Sequence, residues 1–194
     1  MIVLDIETTG IDSKKNSIVS VGAVEFENPQ NQFYEECHVW DGAEINPKAL
    51  DVIGFSKKYV TNQSKQSSKS LLKSFFSWAK ECNLNTVAGH NVSFDIEFLK
   101  DSARRNNLEY PFPYRHIDTH SLTWMHLAQS GKEIPLEDGY SKIDSDFVFK
   151  YVGITESRGD HNALEDAKLT AEAISRLAYG KRLLDEYKKF SIPW

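Results

Sequence analysis

Cysteine is scarce in this sequence. Cys37 and Cys82 are the only two. Neither lies in a CxxC pair or near histidines at zinc-ligand spacing, so no structural zinc is expected, and two reduced, buried thiols are. Long apolar runs are missing as well. With a mean hydropathy of -0.47, no stretch reaches the length a membrane-spanning helix requires. The first residues lack the basic start, apolar centre and small-residue cleavage site of a secretion signal, so a cytoplasmic location is expected. An excess of positive charge is the third absence. Lys and Arg total 23 against 28 Asp and Glu, a net charge of -5. The chain as a whole therefore lacks the usual electrostatic footprint of a nucleic-acid binder. That does not exclude such a partner, because a site that holds divalent cations needs several carboxylates, and bound ions reverse the local sign. Lys57, Lys58, Lys65, Lys69 and Lys73 form a loose basic stretch, with Arg104 and Arg105 elsewhere; both groups are read as solvated surface.

What is present suits one packed domain over the 194 residues, with 40% hydrophobic and 12% aromatic side chains. Met1 to Glu7 is a nearly continuous apolar run, the pattern of a central strand buried on both faces. Ser17 to Phe26 and Phe33 to Trp40 read as further strands, separated by Asn28-Pro29, and together the three make an antiparallel meander. Helices then dominate. Pro47 to Ile53 has proline at its first turn. Ser67 to Cys82 places Leu71, Leu72, Phe75, Phe76 and Ala79 on one face. Phe94 to Arg105, Thr119 to Ala128, Ser145 to Tyr151 and Ala163 to Ala178 follow, the last stopped by Gly180. Short strands are expected at Thr86 to Ala88 and Arg115 to Asp118, a loop at Ser130 to Lys142, and a helical tail over 180–194. This order predicts an α/β domain with a mixed sheet and helices on both faces.

Three groups of polar residues interrupt the apolar pattern. Asp5 and Glu7 stand two apart in the first strand, so both point to one side of it. Two carboxylates buried together repel each other, at a cost of several kcal/mol in order of magnitude, and a hard divalent cation would offset it. If the strand stops at Leu4, both acids are simply solvated. Asp95 opens a helix, where an acid also complements the helix dipole. His161 and Asp166 would lie ~140° apart on one helix and could not share a face. Asn162-Ala163-Leu164-Glu165 fits a capping box with Asn162 as N-cap. That leaves His161 on the entering loop, Asp166 past the first turn facing inward, and Glu165 with a structural task.

Together, Asp5-Ile6-Glu7-Thr8-Thr9-Gly10, His90-Asn91-Val92-Ser93-Phe94-Asp95 and His161-Asn162-Ala163-Leu164-Glu165-Asp166 resemble the three motifs of the DEDDh 3′→5′ exonucleases. This is the family of the DNA polymerase III epsilon proofreading subunit and RNase T. The resemblance runs from residue 2 to about residue 178, in the family's order, and Asp118-Thr119 is similar to a weaker family signature. A sister class carries tyrosine where Asn162 stands, so the histidine class fits. One departure is Ile53, where family members often have histidine.

The resemblance implies a ribonuclease-H-like fold and hydrolysis of single-stranded DNA or RNA from 3′ ends, with DNA preferred. It implies two divalent ions, Mg²⁺ or Mn²⁺, bridged by Asp5, with Glu7 and Asp166 completing one site and Asp95 holding the other. His161 would be the general base. From their place beside these acids in the sequence, the Thr8-Thr9 backbone and the Asn91 and Phe94 side chains are candidates for gripping the terminal nucleotide, Phe94 either stacking on a base or packing on Phe98. A polymerase or a second copy of the chain are the partners this family suggests. An RNA-trimming exonuclease or oligoribonuclease is the alternative, and a catalytically quiet end-binding domain a further one.

Overall fold

The computed structural model describes residues 1–155 and 162–194. Its centre is β1 (Ile2–Thr8), which pairs antiparallel with β2 (Ile18–Glu25). On the far side of β2 lies β3 (Gln32–Glu36), also antiparallel. The other edge of β1 pairs in parallel with β4 (Val87–Gly89), and β4 with β5 (His116–Asp118). The strand order is β3-β2-β1-β4-β5, a mixed sheet of the ribonuclease-H-like kind.

The helices are α1 (Pro47–Val52), α2 (Lys57–Val60), α3 (Ser68–Glu81), α4 (Ser93–Arg105), α5 (Thr119–Gln129), α6 (Ser145–Tyr151) and α7 (Ala163–Tyr179). Strand parity sorts them onto the two faces. Ile2, Leu4 and Ile6 join Leu71, Leu72 and Phe75 of α3 and Phe98 and Leu99 of α4 in one core. Each fully buried Leu or Phe there contributes roughly 1.5–3 kcal/mol. Val3 and Ala88 face the other way, onto Ala171 and Ile174 of α7. Asp5 and Glu7 share the parity of Val3 and therefore look toward α7.

Helix α7 lies very close to the sheet. Its inner face carries Ala163, Ala167 and Ala171, all fully buried. At Gly22 of β2 a Cβ would stand 2.1 Å from the carbonyl carbon of Ala163 and 2.2 Å from the Leu164 amide nitrogen. Only glycine permits that approach.

Several expectations need correction. Strand β3 ends at Glu36 rather than Trp40, because the His38 and Val39 amides bond to Gln66 O and Val60 O and draw the chain toward α2, a four-residue helix that periodicity could not flag. The segment expected as a loop, Ser130 to Lys142, contains a hairpin, β6 (Leu136–Glu137) with β7 (Tyr140–Ser141). Its turn, Asp138-Gly139, has positive φ at both residues, the requirement of the tightest hairpin turns. The tail over 180–194 is not helical apart from one 3₁₀ turn, Asp185–Tyr187. Its backbone is taken up by α7 side chains. Arg176, fully buried, donates to the carbonyls of Val152, Tyr187, Phe190 and Ser191. Its partner Glu172 accepts from the Leu183 and Leu184 amides. Among the described residues, no helix is long and apolar enough to cross a membrane.

Candidate active site

Asp5, Glu7 and Asp166 converge where β1 runs out beneath the first turns of α7. One carboxylate oxygen from each lies within 4.8 Å of the others. Glu7 and Asp166 are buried, and Asp5 is half-buried. At such separations two like charges repel by about 3–4 kcal/mol at an effective dielectric near 20. An oxygen-only donor set of this kind fits a hard divalent cation, and it is the one such cluster among the described residues. Ser20 stands directly across β2 from Glu7. Its hydroxyl is fully buried, with no hydrogen-bond partner among the described residues. That adds a polar group to the same wall, one that strand register reveals and motif spacing does not.

Asp95 sits next to this trio. Strand β4 accompanies β1 only at Ile2 and Val3. Farther along, the Ile6 amide is met by Asp95 Oδ1 at 3.0 Å, which fixes the first turn of α4 between the two β1 acids. Burial, reinforced by the charges of Glu7 and Asp118, holds the Asp95 carboxyl well above the usual carboxylate range. Asp118 organises the neighbouring turn. Its two oxygens accept from the Val92 amide (2.9 Å) and the His120 amide (2.9 Å), so one side chain caps α5 and anchors the approach to α4. His90 Nδ1 lies 2.8 Å from Thr119 Oγ1.

The remaining expected residues fall as follows. His161 lies outside the described residues. Asn162 caps α7, its Oδ1 accepting from Leu164 N (3.1 Å) and Glu165 N (3.2 Å). Glu165 is exposed and pairs with Lys168 Nζ at 2.9 Å. Thr9 is fully buried and engaged within the chain. Its amide donates to Ser17 O, its carbonyl accepts from Asn46 N, and its hydroxyl donates to Glu44 O and accepts from Ser17 N. The Thr8 hydroxyl donates to Gly10 O (2.7 Å). Asn91 is exposed at positive φ, in the turn between β4 and α4. Phe94 is half-buried against Phe98, with ring centroids 4.8 Å apart.

A family model described as Exonuclease, of the RNase T type, matches residues 2–174. The chain belongs to the exonuclease family. Its motifs are those of the DEDDh branch. This exonuclease chain is 30% identical to DNA polymerase III PolC-type of Thermotoga maritima over 178 residues, 90% of the chain and 12% of that protein. It is 25% identical to Ribonuclease T of Haemophilus influenzae over 146 residues, 66% of the chain and 62% of that protein. In structure it resembles E. coli exonuclease I in complex with a dT13 oligonucleotide. The TM-score is 0.70 at 20% identity, over 90% of this chain and 40% of that one, a likeness that speaks for the fold. The chain thus spans less than two thirds of each of these relatives.

Proposed function

We propose that this protein is a metal-dependent 3′→5′ exonuclease that shortens single-stranded ends to nucleoside 5′-monophosphates, with 1–194 acting as one unit. The convergence of the Asp5, Glu7 and Asp166 carboxylates within 4.8 Å carries this reading. Asp5, Glu7 and Asp166, with Asp95 beside them, would hold two Mg²⁺ or Mn²⁺ ions. When bound, such a pair neutralises phosphate charge, activates a water and stabilises the leaving oxygen. The chain's own residues do the rest. His161, one residue before the cap of α7, accepts the proton of the attacking water. The water oxygen bonds to phosphorus as the 3′ oxygen leaves, so the phosphate stays on the 5′ side of the released nucleotide. Thr8 and Asn91 contact the terminal nucleotide, and Phe94 offers its free edge to a base. The internal engagement of Thr9 supports a role for it in shaping the loop that Thr8 presents.

DNA is the preferred substrate on the likeness to a PolC-type polymerase, which also supports a polymerase as the source of 3′ ends. The likeness to Ribonuclease T supports RNA as the second reading. Digestion of 5′-labelled single-stranded DNA and RNA of equal sequence, with Mg²⁺ and with EDTA, tests both. A shrinking ladder that keeps its label and stops in EDTA is expected. Cutting of closed circular single strands would refute the exonuclease assignment, and early loss of the 5′ label would refute the polarity.

A further inference from the structure

We propose that a groove along the outer face of α4 carries the single strand on the 5′ side of the scissile bond; the claim rests on the exonuclease reading above. The groove encloses about 500 Å³, and Lys14, Ser93, Lys100, Arg104, Tyr114 and His116 line it. One end of it is Ser93, in the first turn of α4, the turn that also carries Asp95 on its inward side. Ser93, Lys100 and Arg104 stand at spacings that keep them on one stripe. From Ser93 to Arg104 the helix rises about 17 Å, long enough for more than one nucleotide of single strand.

The chain carries a net charge of -5, yet cations gather along this stripe. Arg105 joins Lys14 and Arg104 around an adjoining hollow of about 230 Å³. Glu97 and Asp101 are the acids of the groove. Asp101 is occupied, accepting from Ser13 Oγ at 2.6 Å and pairing with Arg104. The wall is also held in place. The Arg105 guanidinium lies 4.2 Å from the Trp40 ring centre and donates to Ser13 O at 3.1 Å, which pins the loop bearing Lys14 beside α4. Tyr114 is 73% exposed, with the Arg115 guanidinium 4.8 Å from its ring centre.

An exposed aromatic among spaced cations is what a single strand uses: bases stack on the ring while phosphates pair with the charges. An acidic peptide would satisfy the cations but offers no base to stack on the exposed part of Tyr114 beside Arg115. The groove and Asp95 share the first turn of α4, so a strand held there has its 3′ end within reach of the acids by way of that turn.

Two measurements test this. Fluorescence anisotropy with labelled dT12 in EDTA reads binding alone. Steady-state kinetics compares oligothymidylates of two to twelve nucleotides with the p-nitrophenyl ester of thymidine 5′-monophosphate, which is too small to reach the groove. Affinity of the wild-type protein should rise with length and level off once the strand spans the groove. Tyr114→Ala should weaken dT12 binding about 5- to 150-fold. The K100A/R104A double variant should make the log–log salt dependence shallower by about 1.4, since each single-strand phosphate contact contributes about 0.7. In both variants the kinetic preference for dT12 over the ester should shrink. Thermal melts establish that these exposed substitutions leave the fold intact. Wild-type dT12 affinity and salt slope in both variants would overturn the proposal, as would equally tight binding of polyglutamate. Should the wild-type protein fail to hydrolyse the ester, the exonuclease reading falls, while the anisotropy titrations still decide the groove.

Discussion

Gly22 of β2 lies so close to Ala163 of α7 that a single added carbon would fall 2.1 Å from the Ala163 carbonyl carbon. Gly22 is also the residue directly opposite Asp5. The missing side chain therefore sets how near α7, and Asp166 with it, comes to the β1 acids. Gly22→Ala should push the start of α7 off the sheet. Backbone on both sides leaves no flexible atom to give way, so the cost should reach or exceed the usual 1–3 kcal/mol or so of overpacking. Thermal melts should show this loss, and titration with Mn²⁺ should show weakened ion binding. A variant as stable as wild type with unchanged Mn²⁺ affinity would contradict the account.

Asp5→Asn should abolish turnover and sharply weaken Mn²⁺ binding, because it removes a charged oxygen donor from the trio. In EDTA the same variant should melt higher than wild type, since the repulsion with Glu7 and Asp166 is relieved. Paired melts with EDTA and with Mn²⁺ should therefore change the variant's rank order.

Asp95 gives a pH signature to the ion-free protein. Its folded-state pKa is raised, mainly by burial and then by Glu7 and Asp118, so the native state keeps a proton that the unfolded chain releases near pH 3.9 or so. Stability of the ion-free protein should therefore fall as pH rises above about 4, until Asp95 ionises. Asp95→Asn should flatten that decline. Denaturant melts from pH 4 to 8 in EDTA, comparing wild type and variant, read the difference directly. A gap between the two that is constant with pH would show that Asp95 is ionised throughout.

The third motif divides into separable roles. His161→Ala should retain Mn²⁺ and oligonucleotide binding and lose roughly 10²–10⁴-fold in turnover. The rise of the wild-type rate with pH should flatten with it. Asn162→Ala should cost about 0.5–2 kcal/mol of stability through the lost cap. Glu165→Ala should cost about 0.5 kcal/mol or less, because the Glu165–Lys168 pair is a surface one. Single-turnover kinetics and melts on these variants test the division. Full turnover in His161→Ala would remove it as the base.

The elements most legible beforehand were those with long periodicity or strong ends. The stripe from Leu71 to Ala79 marks α3, and Asn162 and Gly180 bracket α7. Parity alone placed Asp5 and Glu7 on one side of β1. It could not say which helix that side meets, because the answer depends on Gly22 and on pairing across β2. Ser20 was hidden for the same reason: only register sets it against Glu7. Asp138-Gly139 did carry a turn signal, but two-residue flanks are too short to show alternation. The tail escaped because side-chain-to-backbone bonds from Arg176 and Glu172 hold it, and these leave no local pattern in the tail itself.

That arrangement gives the molecule an order of assembly. Protein synthesis proceeds from the first residue to the last, so residues 183–191 emerge after everything they brace. Until they do, Arg176 lacks the carbonyls of Tyr187, Phe190 and Ser191, and Glu172 lacks the amides of Leu183 and Leu184. Seating α7 without them would bury an ion pair short of partners, at a cost of roughly several kcal/mol. Asp166 rides on α7. A chain still leaving the ribosome therefore holds both β1 acids early and seats the third well only after residues 183–191 have emerged.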